Sequence, residues 1–93
     1  MISADLAVIS CDAFSMRDGM CWSHAEDAAI ARKMTDRAAE TIAVITGTKF
    51  DRRARISGVP ASDLDVVVTD NVRHPAVARL VQANVRIVEA GAV

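Results

Sequence analysis

The 93 residues include eleven basic and twelve acidic side chains, for a formal charge of -1, which argues against a duplex-binding surface driven by phosphate neutralisation and for a small or protein partner. A chain this short buries only about 60 to 65% of its unfolded surface, so its core is thin. Hydrophobic residues make up 52% of it, chiefly alanine and valine, against 3% aromatic, a balance that suits alanine-rich helices packed on valine-rich strands.

No apolar run approaches the roughly 20 residues that span a bilayer, and Asp5 interrupts the N-terminus too early for a signal peptide. A cytoplasmic, soluble chain is expected. Cys11 and Cys21 fit neither a disulfide framework nor a paired redox spacing, and both read as reduced thiols.

In chain order, Leu6-Ala7-Val8-Ile9 is a continuous apolar run, the pattern of a parallel strand covered on both faces. From Phe14 to Trp22 the pattern breaks around Arg17-Asp18-Gly19, which predicts a loop or flap with at most a short hairpin. Ser23-His24-Ala25-Glu26 has the form of a capping box, so a helix is expected from His24 to about Ala39. Its apolar face comprises Ala28, Ile30, Ala31, Met34 and Ala38.

Thr41 to Ile45 reads as a second strand, closed by Thr46-Gly47-Thr48-Lys49. Phe50 to Ser62 carries Arg52, Arg53 and Arg55 before Gly58-Val59-Pro60, which predicts irregular backbone with one short helix at most. Leu64 to Val68 is the third strand and ends at Thr69-Asp70-Asn71. Pro75 suits the first position of a helix whose Val77, Leu80 and Val81 share a face, and Asn84 suits a left-handed cap before a last strand, Val85 to Val88. The whole predicts an α/β fold, a parallel sheet of about four strands with two to three helices and right-handed crossovers. Two helices cannot cover both faces of four strands, so an apolar face or edge is left for another chain or a missing piece.

Ligands of open parallel sheets bind beyond the carboxyl ends of the strands, where Asp12, the Thr46-to-Lys49 loop and Asp70 fall. Gly47 lets backbone approach a ligand, Thr48 offers a hydroxyl, and Lys49 places a compact positive charge beside them, a combination suited to phosphate or carboxylate. It lacks the spacing of a nucleotide-hydrolysing P-loop. An ordinary solvated turn explains Gly47-Thr48-Lys49 equally well, and an aspartate after a strand commonly just caps backbone N–H groups. Cys21 and His24 have a zinc-like spacing, with Cys11 upstream, but no fourth ligand follows and no metal is expected. Arg52, Arg53 and Arg55 read as a solvated face or an anion-facing rim, since Asp51 dilutes the charge. Trp22 either roofs the strand-end cleft or packs in the core.

Ala4-Asp5-Leu6-Ala7-Val8-Ile9 with Cys11-Asp12, Asp18-Gly19-Met20, Glu26-Asp27-Ala28-Ala29-Ile30 with Arg32 and Met34, Lys49-Phe50-Asp51-Arg52-Arg53-Ala54, and Asp65 to Asp70 resemble, in order and spacing, the effector-binding C-terminal domain of DeoR-family bacterial transcriptional regulators. The resemblance implies a fold akin to ribose-5-phosphate isomerase and a sugar-phosphate ligand that tunes repressor binding to DNA. It assigns ligand contact to Asp12, Thr48 and Lys49, and a supporting role to Arg32. Ser10, Ala13 and Thr46 replace the family's usual glycines and loop aspartate. The family's helix-turn-helix and first phosphate loop would precede Met1, so the chain is expected to be one partial effector domain over residues 1–93, a fragment or truncated gene product.

The leading expectation is therefore a sensing module that binds a phosphorylated sugar through Asp12, Gly47, Thr48, Lys49, Arg32 and Asp70, without a cofactor, acts as a homo-oligomer, and reaches DNA only through a segment outside this chain. An isomerase-like enzyme using Asp12 or Asp70 as base, and an oligomerisation module, are the alternatives.

Overall fold

The computed structural model describes residues 4–91. A four-stranded, all-parallel sheet runs in the order β1 (Ala4–Ser10), β4 (Ala38–Val44), β6 (Val66–Thr69), β7 (Arg86–Glu89). A smaller antiparallel sheet joins β2 (Ala13–Ser15), β3 (Gly19–Trp22) and β5 (Ile56–Val59). Two α-helices, α1 (Ala25–Arg37) and α2 (Pro75–Gln82), and single 3-10 turns at Gly47–Lys49 and Ala61–Asp63 complete the fold. The α/β class and the four parallel strands agree with the sequence reading.

The links from β1 to β4, β4 to β6 and β6 to β7 all step the same way across the sheet. Right-handed crossovers that always step one way put every connection on one face. That face is dry: Ala7, Ile9, Ala43, Ile45 and Val67 are buried there with Leu80 and Val77 of α2 and Ala28 and Ala31 of α1. On the other face Leu6, Val8, Val44 and Val88 stay exposed. The expectation that β1 is covered on both faces is thus corrected, because a sheet wound in one direction has helices on one side only. The apolar face foreseen from counting helices is present.

The stretch Phe14 to Trp22, expected to be a loop or flap with a short hairpin at most, forms that hairpin, β2–β3, and it is packed inward with Phe14, Met20, Cys21 and Trp22 all buried. β5 extends it within the stretch expected to be irregular. Ile56 and Val59 are the apolar residues of that strand, and Val59 is fully buried, but four residues ending at a proline give too short a period to read. Gly19 closes the hairpin with φ of +72°, and a Cβ there would lie 2.3 Å from the Val59 carbonyl oxygen.

The capping box does not form. Helix α1 starts one residue later, with His24 as its N-cap and no side-chain cap bond, so Glu26 lies one position too early for the reciprocal bond. The Ser23 N–H donates to Asp12 Oδ2 at 2.8 Å instead. At the other end Ala38 pairs with Ala4 of β1, so the chain passes directly from helix to strand, two residues before the expected boundary. Ile30 and Met34, assigned to the buried face, are exposed, whereas Ala28, Ala31 and Thr35 are buried. The small residues let α1 sit close to strands of both sheets and leave the larger ones at the rim. In α2, Pro75 and Asn84 (φ +66°) take their expected places. Val81, however, faces outward.

Candidate functional site

Because β1, β4 and β6 are parallel neighbours, their carboxyl ends, and the residues that follow, fall in a row on one edge. Asp12 follows β1, the Gly47–Lys49 turn follows β4, and Asp70 follows β6. The structure therefore gathers Asp12, Gly47, Thr48, Lys49 and Asp70 along one rim.

Each is held by specific bonds. Asp12 is half-buried, its N–H donates to the Cys21 carbonyl at 3.0 Å, and its Oδ2 accepts from Ser23. Oδ1 makes no hydrogen bond to another described residue. The Gly47 N–H donates to Asp70 Oδ1 at 2.7 Å, while a Cβ at Gly47 would come within 2.7 Å of Asn71 Cβ. Glycine is thus required here for close approach of two loops, in addition to any role toward a ligand. Thr46 and Thr48 hydroxyls lie 3.2 Å apart, and the Lys49 N–H donates to the Thr46 carbonyl to close the turn.

Beyond Lys49 the chain is pinned from two sides. Phe50 meets Phe14 edge-on at 6.0 Å and lies against the His74 ring at 4.8 Å. Asp51 takes a left-handed φ of 59° and donates its N–H to the Phe14 carbonyl at 2.7 Å. His74 Nδ1 accepts from the Ala76 N–H as the N-cap of α2, which fixes the ring with its Nε2 3.9 Å from Asp51 Oδ2. Sequence reasoning missed His74, Asp51 and Ser23 as parts of this edge. A His-Pro pair ahead of a helix was the available signal for His74.

Charge at the rim is read by Cys11, which lies between β1 and β2. Burial pushes its thiol up to about 11, the Ala13 backbone hydrogen bond opposes this, the neighbouring Cys21 and Asp12 add to the rise, and the Lys49 ammonium counters it. Asp12 and Lys49 thus both lie within electrostatic range of this buried sulfur, with opposite effects. An open groove of about 380 Å³ runs from here along β1 and α1, lined by Val8, Ser10, Asp12, Trp22, Ile30 and Met34 among others. It takes in Asp12 but not the Gly47–Lys49 turn. Trp22 forms its inner wall as a core residue, 6% exposed, with Nε1 donating to the Ser10 carbonyl at 3.0 Å.

Arg32 is not on this rim. Its guanidinium bonds Asp36 at 2.7 Å, Asp63 at 2.9 Å and the Gly58 carbonyl at 3.4 Å, tying α1 to the segment around β5. Burial pushes its pKa down, but the hydrogen bonds to Asp63 and Asp36 outweigh that and raise it. Arg52, Arg53 and Arg55 are exposed. Among the described residues no three His, Cys, Asp or Glu side chains are placed to hold a metal ion, and no helix is long and apolar enough to cross a membrane.

The arrangement offers an anion a lysine and hydroxyls, and offers a polyol a carboxylate. No curated protein matches the chain. The family model of the DeoR C terminal sensor domain matches residues 1–71, which takes in β1 through β6 and every residue of the rim. The chain belongs to the DeoR C-terminal sensor domain family.

Proposed function

We propose that this effector-sensing domain binds a phosphorylated sugar or a similar small anion at the strand-end rim. The supporting observation is that Asp12 and the turn bearing Lys49 follow neighbouring parallel strands, β1 and β4, and so share one edge of the sheet. The Lys49 ammonium pairs the phosphate with Thr48 beside it, and the unbonded Oδ1 of Asp12 accepts from sugar hydroxyls. Asp70, whose Oδ1 holds the Gly47 N–H, keeps the turn in position and offers its remaining oxygen to the ligand. Arg32 supports the rim at a distance by holding α1. Such a domain works in the cytoplasm of a bacterium and influences transcription through a DNA-binding segment other than these 93 residues.

Calorimetric titration with a panel of sugar phosphates tests this reading. Lys49→Ala is expected to weaken binding by about 10- to 100-fold, the loss of one charge-assisted bond. Equal affinity of the two proteins, or no binding by either, overturns the site. The sensor reading ranks above the isomerase one because the family is a regulatory one.

A further inference from the structure

The turn that carries Lys49 runs directly into a second polar feature. Phe50 turns inward at 6% exposure, while Lys49 before it and Asp51 after it reach solvent. Asp51 has a φ of 59°, in the left-handed region that glycine enters freely and other residues at a cost, smallest for aspartate and asparagine. A carboxylate is kept at this position all the same, and its side chain is 53% exposed. An unusual backbone conformation retained at a polar surface residue points to a use for the side chain.

Facing Asp51 is His74, whose ring is held on two sides. Its Nδ1 accepts from the Ala76 N–H at 3.0 Å, so the neutral ring carries its proton on Nε2 and that nitrogen is a donor. The ring also lies against Phe50, with centroids 4.8 Å apart, and swinging it toward the carboxylate gives up both contacts. The Asp51 backbone is anchored in turn by its N–H to the Phe14 carbonyl at 2.7 Å. A donor, His74 Nε2, and an acceptor, Asp51 Oδ2, therefore lie 3.9 Å apart, too far for a direct hydrogen bond.

One ligand oxygen can satisfy both. An oxygen about 2.8 Å from each atom sees them at an angle of about 90°, and a hydroxyl does what both need, accepting from Nε2–H and donating to Oδ2. An ionised phosphate oxygen has no proton to give, and the carboxylate repels it. We infer, resting on the reading that Lys49 holds the phosphate, that Asp51 and His74 together bind a hydroxyl of the same ligand. The pair thereby selects hydroxylated phosphates over plain anions of the same size. Lys49 and Asp51 are two residues apart, at most about 7 Å along the chain, which a phosphate on a three-carbon chain covers. The groove beside β1 takes in Asp12 but not the Lys49 turn, so this pair supplies hydroxyl recognition on the Lys49 side.

NMR titration of the 93-residue chain with glycerol 3-phosphate, and with propyl phosphate, which has the same carbon chain and no hydroxyl, provides the test. Glycerol 3-phosphate is expected to bind about 5- to 20-fold more tightly, and it alone should shift the His74 ring resonances. Asp51→Gly, which suits the left-handed φ, and His74→Asn, which keeps a cap acceptor for Ala76, should each cut that ratio at least threefold. Taking the ratio cancels the gain both phosphates make when a negative charge is lost at Asp51. Equal affinity of the two phosphates, or a ratio lowered by only one variant or by neither, overturns the pair. The Lys49 site survives that result where Lys49→Ala weakens both phosphates. If neither phosphate shifts a resonance of the Gly47–Lys49 turn, the phosphate site itself is overturned, and the pair with it.

Discussion

The Gly47 N–H donates to Asp70 Oδ1 at 2.7 Å, joining the loops that follow two neighbouring strands. It is the turn's one side-chain hydrogen bond to the loop after β6 among the described residues, and it helps set how Thr48 and Lys49 are presented. Asp70→Ala is expected to cost about 1 kcal/mol, the net worth of one such bond, with Asp70→Asn near neutral because an acceptor oxygen is kept. Gly47→Ala should cost about 1 to 3 kcal/mol by overpacking against Asn71. The double variant Gly47→Ala with Asn71→Gly should recover most of it. Urea denaturation measures all four.

A larger effect is expected at the hairpin. Gly19 combines a positive φ with a Cβ position 2.3 Å from the Val59 carbonyl oxygen and 2.8 Å from Pro60 Cα. Backbone lies on that side, so no side-chain rotation relieves the contact. Gly19→Ala should destabilise by more than Gly47→Ala, about 3 kcal/mol or more, and should shift the emission of Trp22, the single tryptophan, which sits at the end of the same strand.

Arg32 separates a structural role from a ligand role. Its fork spans Asp36 and Asp63, groups about one-third to three-fifths exposed, so solvent screening limits the stabilisation to about 1 kcal/mol. Arg32→Lys should lower the melting temperature by a few degrees and leave the affinity for a sugar phosphate within about twofold. An affinity loss as large as that of Lys49→Ala would place Arg32 at the ligand instead.

Cys11 gives a pH signature. Its folded thiol is raised to about 11 from an unfolded value near 9.0, chiefly by burial. In that window the unfolded chain has released the proton and the folded chain still holds it, so stability falls as pH rises from 9 to 11. Two units correspond to a loss on the order of 2 kcal/mol, and Cys11→Ala should abolish this part of the slope. In native protein at pH 8 the same thiol should be alkylated far more slowly than after unfolding in urea.

The sequence by itself determined the class of fold and the members of the rim. Apolar, β-branched-rich runs at Leu6 to Ile9, Thr41 to Ile45 and Leu64 to Val68, separated by helical periods, favour parallel strands, and polar residues directly after them must then share an edge. Local chemistry was enough for Pro75 and Asn84, whose preferences act within one turn of helix. Tertiary structure decided the rest. The β2–β3–β5 sheet depends on pairing Met20 with Val59, across a separation that no local period encodes. The capping box at Ser23 lost to Asp12, eleven residues away, because a carboxylate at the end of β1 takes the same N–H. Ile30 and Met34 have the spacing of a buried face yet lie exposed, since the small side chains of Ala28 and Ala31 let α1 settle on its other side. Periodicity records that a face is apolar, and only the packed sheet determines whether this chain or another covers it.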